Sequence, residues 1–491
     1  MHGLLATSLG VTCAAALTLP LAPPAGAAPE PPAPMAEAAA AVAGAARPDP
    51  PQAPGAPPRA ASATPDLPGS TQSLPLAPLA RDRALGGAGD QGLPRRDVRH
   101  FSLLGVVWND PDTPLHGRVQ VRTRAAGTHA WSGWQDLETH NDDHGADPGT
   151  AERTSGHVRA GTAPLWVGDS DGVEVRVHGE DTDRHGRTGT TRAALTTPGA
   201  AAALPKGLRL ELIDPGTEDT RAVHLSAEAA GTRQLRPAAL DAEARAASAA
   251  NADLAPVGAL EIPALDRAQT RSELLSLRSG QLTAAQKAKP YIGPRPRIVT
   301  RRGWGADEKL REKSFVYTSK VKAAFVHHTA SGNTYKCSQA PSLIRGIYRY
   351  HVRSMGWRDI GYNFLVDKCG TIYEGRAGGV AKAVLGAHTL GFNTNSMGIA
   401  VIGTFGSTKP PAAAVTAVAR LTAWKLGLYG GNPKGKTYLK SGGGNLYRKG
   451  KNVRLNVISG HRDGFATECP GRQLYGKLGT ARSSAARLQG R

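Results

Sequence analysis

The chain has 491 residues, too many for one ordinary hydrophobic core, so length alone argues for two or three domains. Aromatic residues are only 5% of a sequence rich in Ala, Pro and Gly, so much of it reads as linker rather than core. The net charge of +20 suits attraction to a polyanion, but no nucleic-acid module is recognisable, which sets nucleic acid aside as a partner.

Residues 1–28 hold a short apolar core that closes on small residues, with "AGA" before Ala28 as a processing site. This is the pattern of a cleaved secretory signal, although no Lys or Arg precedes the core. Pro20, Pro23 and Pro24 interrupt the same stretch as a membrane span, so a secreted protein without stable membrane insertion is expected. Its basic charge then points to an anionic cell wall or membrane surface. Cys13 would leave with the signal, and Cys337, Cys369 and Cys469 remain. In an oxidising compartment an odd count suggests one disulfide and one cysteine with other work.

Residues 29–98 are Pro- and Ala-rich without periodicity and read as a disordered spacer. Over 99–215 the pattern changes to alternation, as in Val119 and Val121, or Val173, Val175 and Val177. Period two between Gly, Pro, Asp and Asn clusters predicts a small all-β, sandwich-like domain. Trp108, Trp131, Trp134 and Trp166 are expected to fill its core rather than to form a carbohydrate-stacking platform. His140 and His144 in "THNDDH" have metal-compatible spacing, but the stretch is acidic and loop-like with no cysteine partner, so no metal is expected there. Residues 216–290 read as a second linker with nascent helix.

From 291 to 485 short apolar runs alternate with helical periodicity. "AAFVHHTA" and "GIAVIGTF" read as buried strands, "GYNFLVDKCGTIYEGR" as two strands about a turn, and "SLIRGIYRYHV" and 411–428 as helices. The fold class is therefore α/β, a central mixed sheet flanked by helices.

Along the "FVHHTA" strand His327 and His328 face opposite sides, so one of them readily joins a given site. The Gly-bounded loop "SGHRDGFATECPG" carries His461, Thr467 and Cys469. Two histidines and a cysteine make a zinc site with the fourth position open for water, the arrangement of catalytic rather than structural zinc. Asp463 reads as a structural partner of that loop.

These segments, with "RRGWGA", "GWRDIGYNFLVDKCGTIYEGR" and "LGAHTLGFNTNSMGIAVIG", occur in an order and spacing that resembles the peptidoglycan recognition proteins and zinc-dependent N-acetylmuramoyl-L-alanine amidases, in a secreted actinobacterial form with an extra β domain. The resemblance spans about residues 298–478. It implies Zn2+ held by His327, His461 and Cys469, with Tyr362 and Thr467 assisting catalysis. It further implies a peptidoglycan groove that includes His328, His351, Trp357, Arg376, His388 and Asn393. His351 also lies on the apolar stripe of its helix, and Asn393 and Ser396 could equally steady the loop before "GIAVIG". With Cys469 on the metal, Cys337 and Cys369 are left to pair, unlike the short-range pair common in animal members.

The activity implied is hydrolysis of the amide between N-acetylmuramic acid and L-alanine. Its alternative is a non-catalytic peptidoglycan receptor, which typically lacks the cysteine ligand. The basic run "KGKTYLK" to "NLYRKGKNVR" is expected to steer the protein to anionic wall polymers. The protein is expected to be a monomer.

Overall fold

The computed structural model describes residues 69–79, 90–139, 143–180, 203–216 and 240–491. The signal-like segment, most of the Pro/Ala-rich stretch and His140 lie outside the described residues.

The alternating valines fold as their period requires. Strands β1 (Ser70–Pro75), β2 (Ala77–Pro78), β3 (Gln91–Trp108), β4 (Gly117–Ala125), β5 (Gln135–Leu137), β6 (Ala160–Gly161), β7 (Leu165–Gly179) and β8 (Arg209–Asp214) make one eight-stranded sheet. Its order is β1-β8-β3-β7-β4-β5, with β2 and β6 also bonded to β3, and every pair is antiparallel. Val119, Val121, Val173, Val175 and Val177 point into one core with Val106, Trp108 and Leu210. Each buried valine or leucine contributes about 1.5–3 kcal/mol of transfer free energy. Register shifts along β3 and β7 bend these long strands and let the sheet coil over that core.

Two sequence expectations change here. The stretch 29–98 is not linker throughout, because β1, β2 and the first half of β3 belong to the sheet. β1 pairs residue for residue with β8, so its backbone bonds come from a partner far along the chain, invisible in a Pro-rich composition. Among the tryptophans, Trp108 is in the β core, whereas Trp131 and Trp134 are only half-buried. They stack under arginines instead, with Arg176 4.0 Å and Arg122 4.9 Å from Trp134, and Arg95 5.0 Å from Trp131.

The stretch 216–290 is likewise more than a linker. Helices α1 (Ala242–Ala249), α2 (Arg267–Arg278) and α3 (Ala284–Ala288) are capped by Asp241, Asp266 and Thr283, whose side chains accept from backbone N–H groups of the first turn. Leu254, Ile262 and Leu274 enter the core of the C-terminal domain. Their apolar faces are too thin to announce themselves in sequence, and tertiary burial stabilises them.

The second sheet comprises β9 (Glu261–Ile262), β10 (Ile298–Val299), β11 (Ala323–His328), β12 (Phe364–Val366), β13 (Ile372–Glu374), β14 (Ser396–Val401) and β17 (Ile458–Gly460), with a separate hairpin of β15 (Lys436–Lys440) and β16 (Asn452–Asn456). Its order is β17-β11-β14-β12-β13-β10-β9. It is mixed, since β17, β11, β14 and β12 run parallel while β12 and β13 form the expected antiparallel pair. Helices α5 (Ala412–Gly427) and α7 (Leu478–Gln489) cover one face, where Trp424, Leu421 and Ala485 meet Val326, Phe364 and Ile399. Short helix α6 (Arg472–Tyr475) follows the "ECPG" turn.

Helix α4 (Ala340–Arg349) covers the other face, and its far side packs against the β-rich domain. Leu343, Ile344 and Ile347 share a core with Leu103, Val107, Trp166 and Ile213. Close approach is set by small residues: a Cβ on Gly346 would stand 3.2 Å from Leu103, and one on Gly105 2.6 Å from the Tyr350 hydroxyl. A disulfide between Cys337 and Cys369 ties the turn before α4 to the β12–β13 turn, as the cysteine count suggested.

Candidate metal centre and groove

The centre forms at the carboxyl ends of parallel strands, where side chains and loops converge. β11 ends in His327 and His328, and β17 runs directly into His461. The following loop turns back so that Cys469 O accepts from Arg462 N, which brings Cys469 beside the strand end. Asp463 holds this loop, accepting from Gly460 N at 2.9 Å and from the Tyr475 hydroxyl at 2.6 Å. Its structural role is as expected. Glu468, next to the cysteine, is exposed and lies 3.7 Å from Arg462.

His327 Nδ1 is 3.1 Å from His461 Nδ1 and 3.8 Å from Cys469 Sγ. Tetrahedral zinc with Zn–N near 2.0 Å and Zn–S near 2.3 Å has ligand–ligand edges of roughly 3.3–3.6 Å, so this donor set fits that ion. The fully buried His461 Nε2 has no hydrogen-bond partner. Thr389 Oγ1 lies 3.4 Å from His327 Nε2 and steadies that ring from behind.

A fourth donor is present that the sequence reading excluded. His144, from the loop between β5 and β6, joins His327, His461 and Cys469, and one ligand atom from each lies within 4.8 Å of all the others. Its Nδ1 donates to Asp143 Oδ1 at 2.7 Å, which leaves Nε2 bare, buried and without a partner. The sequence reading left the fourth position open and set the "THNDDH" stretch aside; the fold brings His144 of that stretch beside the other three donors. The missing cysteine partner was in the other domain.

Electrostatics at the centre follow from burial. It pushes the imidazoles of His327 and His388 well below their usual range, and that of His461 down to about 3. It pushes the Cys469 thiol well above its own range. Burial also opposes charge on Asp143, but His144 and His461 hold its carboxyl below the usual carboxylate range. A divalent ion held there would displace the thiol proton, which would make its affinity fall in acid.

The residues expected in a groove surround this centre. The Tyr362 ring is 5.5 Å from His327, and the His388 ring 5.3 Å from it. His351 stacks on Trp357 at 4.4 Å and accepts from Gly361 N, so it is also part of the core under the groove. Thr467 Oγ1 accepts from Cys469 N at 3.1 Å. His328 is outside the donor cluster, and its Nδ1 accepts from Phe405 N at 3.2 Å. Asn393 does steady its loop, its Oδ1 accepting from the backbone N–H groups of His388 and Thr389. "RRGWGA" proves to be scaffold: Arg301 is buried between Glu308 and Asp359, and Trp304 Nε1 donates to Glu374 O.

A mixed sheet with a His/Cys donor cluster at its carboxyl end defines an amidase-type α/β domain. Residues 317–472 match the N-acetylmuramoyl-L-alanine amidase family, and residues 58–202 match the family described as Rv3811 N-terminal galactose-binding domain-like. Over 183 residues the chain is 29% identical to peptidoglycan-recognition protein SC2 of Drosophila simulans, covering 37% of this chain and 85% of that protein. It is 31% identical to peptidoglycan-recognition protein 1 of Holotrichia diomphalia, covering 37% and 79% respectively. It is 30% identical to the human N-acetylmuramoyl-L-alanine amidase, over 41% of this chain and 30% of that one. The chain belongs to the family of peptidoglycan recognition proteins and N-acetylmuramoyl-L-alanine amidases.

Proposed function

We propose that the protein hydrolyses the amide between N-acetylmuramic acid and L-alanine in peptidoglycan, as a zinc enzyme. The observation that carries this reading is Cys469, a free buried thiol set beside His327 and His461. Zinc held by these residues would supply a water ionised near neutral pH and a Lewis acid for the carbonyl. Burial keeps the Tyr362 phenol protonated well above its usual range, so it serves as a hydroxyl donor to developing charge, not as a base. Thr467, at the rim beside Cys469, offers a second hydroxyl. Trp357, Arg376, His388, Asn393, His351 and His328 are the groove residues that would orient the muramyl peptide.

The same reading makes the protein a secreted, wall-associated monomer whose signal is residues 1–28. Among the described residues, no helix is long and apolar enough to cross a membrane. Lys434, Lys436, Lys440, Arg448, Lys449, Lys451 and Arg454 stand exposed on and around the β15–β16 hairpin, a surface suited to anionic wall polymers. Mass spectrometry of peptidoglycan digested by the zinc-loaded protein tests the activity. A freed lactyl carboxylate with a new L-alanine amine is expected; intact muramyl peptides recovered bound to the protein would instead make it a receptor.

A further inference from the structure

A groove that grips a glycan and a peptide should open to solvent, as ligand sites do. Here every residue assigned to the centre and groove, apart from Thr467, is at most 7% exposed. The cover is the segment 143–153 of the β-rich domain. Glu152 accepts two hydrogen bonds from Arg376, both at 2.9 Å. Asp147 Oδ1 accepts from Asn393 Nδ2 at 2.6 Å and from Gly391 N at 2.8 Å, and Gly145 O also accepts from Asn393 Nδ2. His144 completes the donor cluster. The space left beside Cys469, between His144, His328 and Thr467, is about 10 Å³, room for a single water.

We propose that the full chain is a latent hydrolase whose β-rich domain inhibits it: segment 143–153 fills the groove, and His144 is a fourth metal ligand at the position a water and the scissile carbonyl require. This rests on the amidase reading above. The cover is built from groups complementary to what it hides, a carboxylate on Arg376, another on Asn393, and an imidazole beside the other metal donors. It is also built to lift. Its grip is largely polar, and ion pairs and hydrogen bonds are returned to water at small net cost when both partners are released together. Of the cover's residues only Ala146 enters the apolar core between the domains, whose larger members Leu103, Val107, Val158 and Trp166 lie outside the segment, so lifting it exposes one small side chain while that core stays in place. Access then depends on the population of the lifted state.

The test uses the full chain, His144→Ala, and the near-isosteric double variant Asp147→Asn/Glu152→Gln, with three readouts. His144→Ala should still bind one zinc per chain but yield it to a chelator about tenfold faster or more. The double variant, stripped of metal, should let iodoacetamide alkylate Cys469 about tenfold faster than the parent, and when loaded should cleave a soluble muramyl peptide faster by a similar factor. Zinc loss and alkylation at parental rates in both variants would overturn the proposal, even with the parent fully active. If those two rates rise as expected while no variant cleaves, the cover stands and the amidase reading fails.

Discussion

Cys469→Ser exchanges a soft thiolate donor for a weakly acidic hydroxyl that does not ionise beside the metal. Zinc content should fall to a small fraction of one ion per chain and hydrolysis should disappear, while the fold persists because the site lies at a strand end and not in the main core. Metal analysis together with a thermal melt checks both halves. Tyr362→Phe removes one hydroxyl and leaves the ring between His327 and the His351–Trp357 stack. If that hydroxyl meets charge only as the amide is attacked, kcat should drop about 10²-fold or more with KM little changed. A raised KM with kcat unchanged would reassign Tyr362 to ground-state binding. Asp143 orients two of the donors at once, accepting from His144 Nδ1 and lying 3.6 Å from His461 Nδ1.

At the scale of elements, the Cys337–Cys369 bridge closes a segment with a sequence separation of 32 that contains the whole of α4. Replacing both cysteines by alanine should lower unfolding stability by about 3–4 kcal/mol, from the freed chain entropy of a loop that size, as read from urea midpoints. Zinc binding should survive, because none of the ligands lies inside the loop. The β15–β16 hairpin turns Leu439, Val453 and Leu455 into a small core with Phe325 and Phe392, which leaves its lysines and arginines outward. If that face meets anionic polymer, wall binding should weaken steeply between low salt and about 0.5 M salt, where the screening length shrinks below 5 Å. Binding that does not respond to salt would assign those charges to solubility alone.

At the scale of the whole molecule, titratable groups from both domains meet in one buried region around the metal centre. His351 is held well below its usual range by burial, with His144 and Arg376 acting in the same direction. Below pH 6.5 the unfolded chain takes up a proton that folded His351 refuses. Stability is therefore lost as pH falls from about 6.5, by up to about 1.4 kcal/mol per pH unit for this one group. His351→Gln should flatten the decline of the urea midpoint between pH 7 and pH 5; an unchanged slope would mean that His351 protonates in the folded protein.

Much of this protein is determined by sequence at short range. Period-two valines produce the β domain, the "DKCG" turn sets an antiparallel pair, and His461 with Cys469 come together because one Gly-bounded loop carries both. Such features depend on neighbours within a few residues, and local periodicity and turn chemistry report them directly. Tertiary structure decided the rest. "STQSLP" becomes a strand only because β8 offers it backbone partners, and the stretch between the domains is ordered because a core formed elsewhere receives Leu254 and Leu274. His144, in an acidic loop with no cysteine nearby, becomes the fourth donor only when packing on α4 brings that loop over the groove. Metal ligation depends on distances of a few ångströms in space, and across two domains sequence separation carries no information about them.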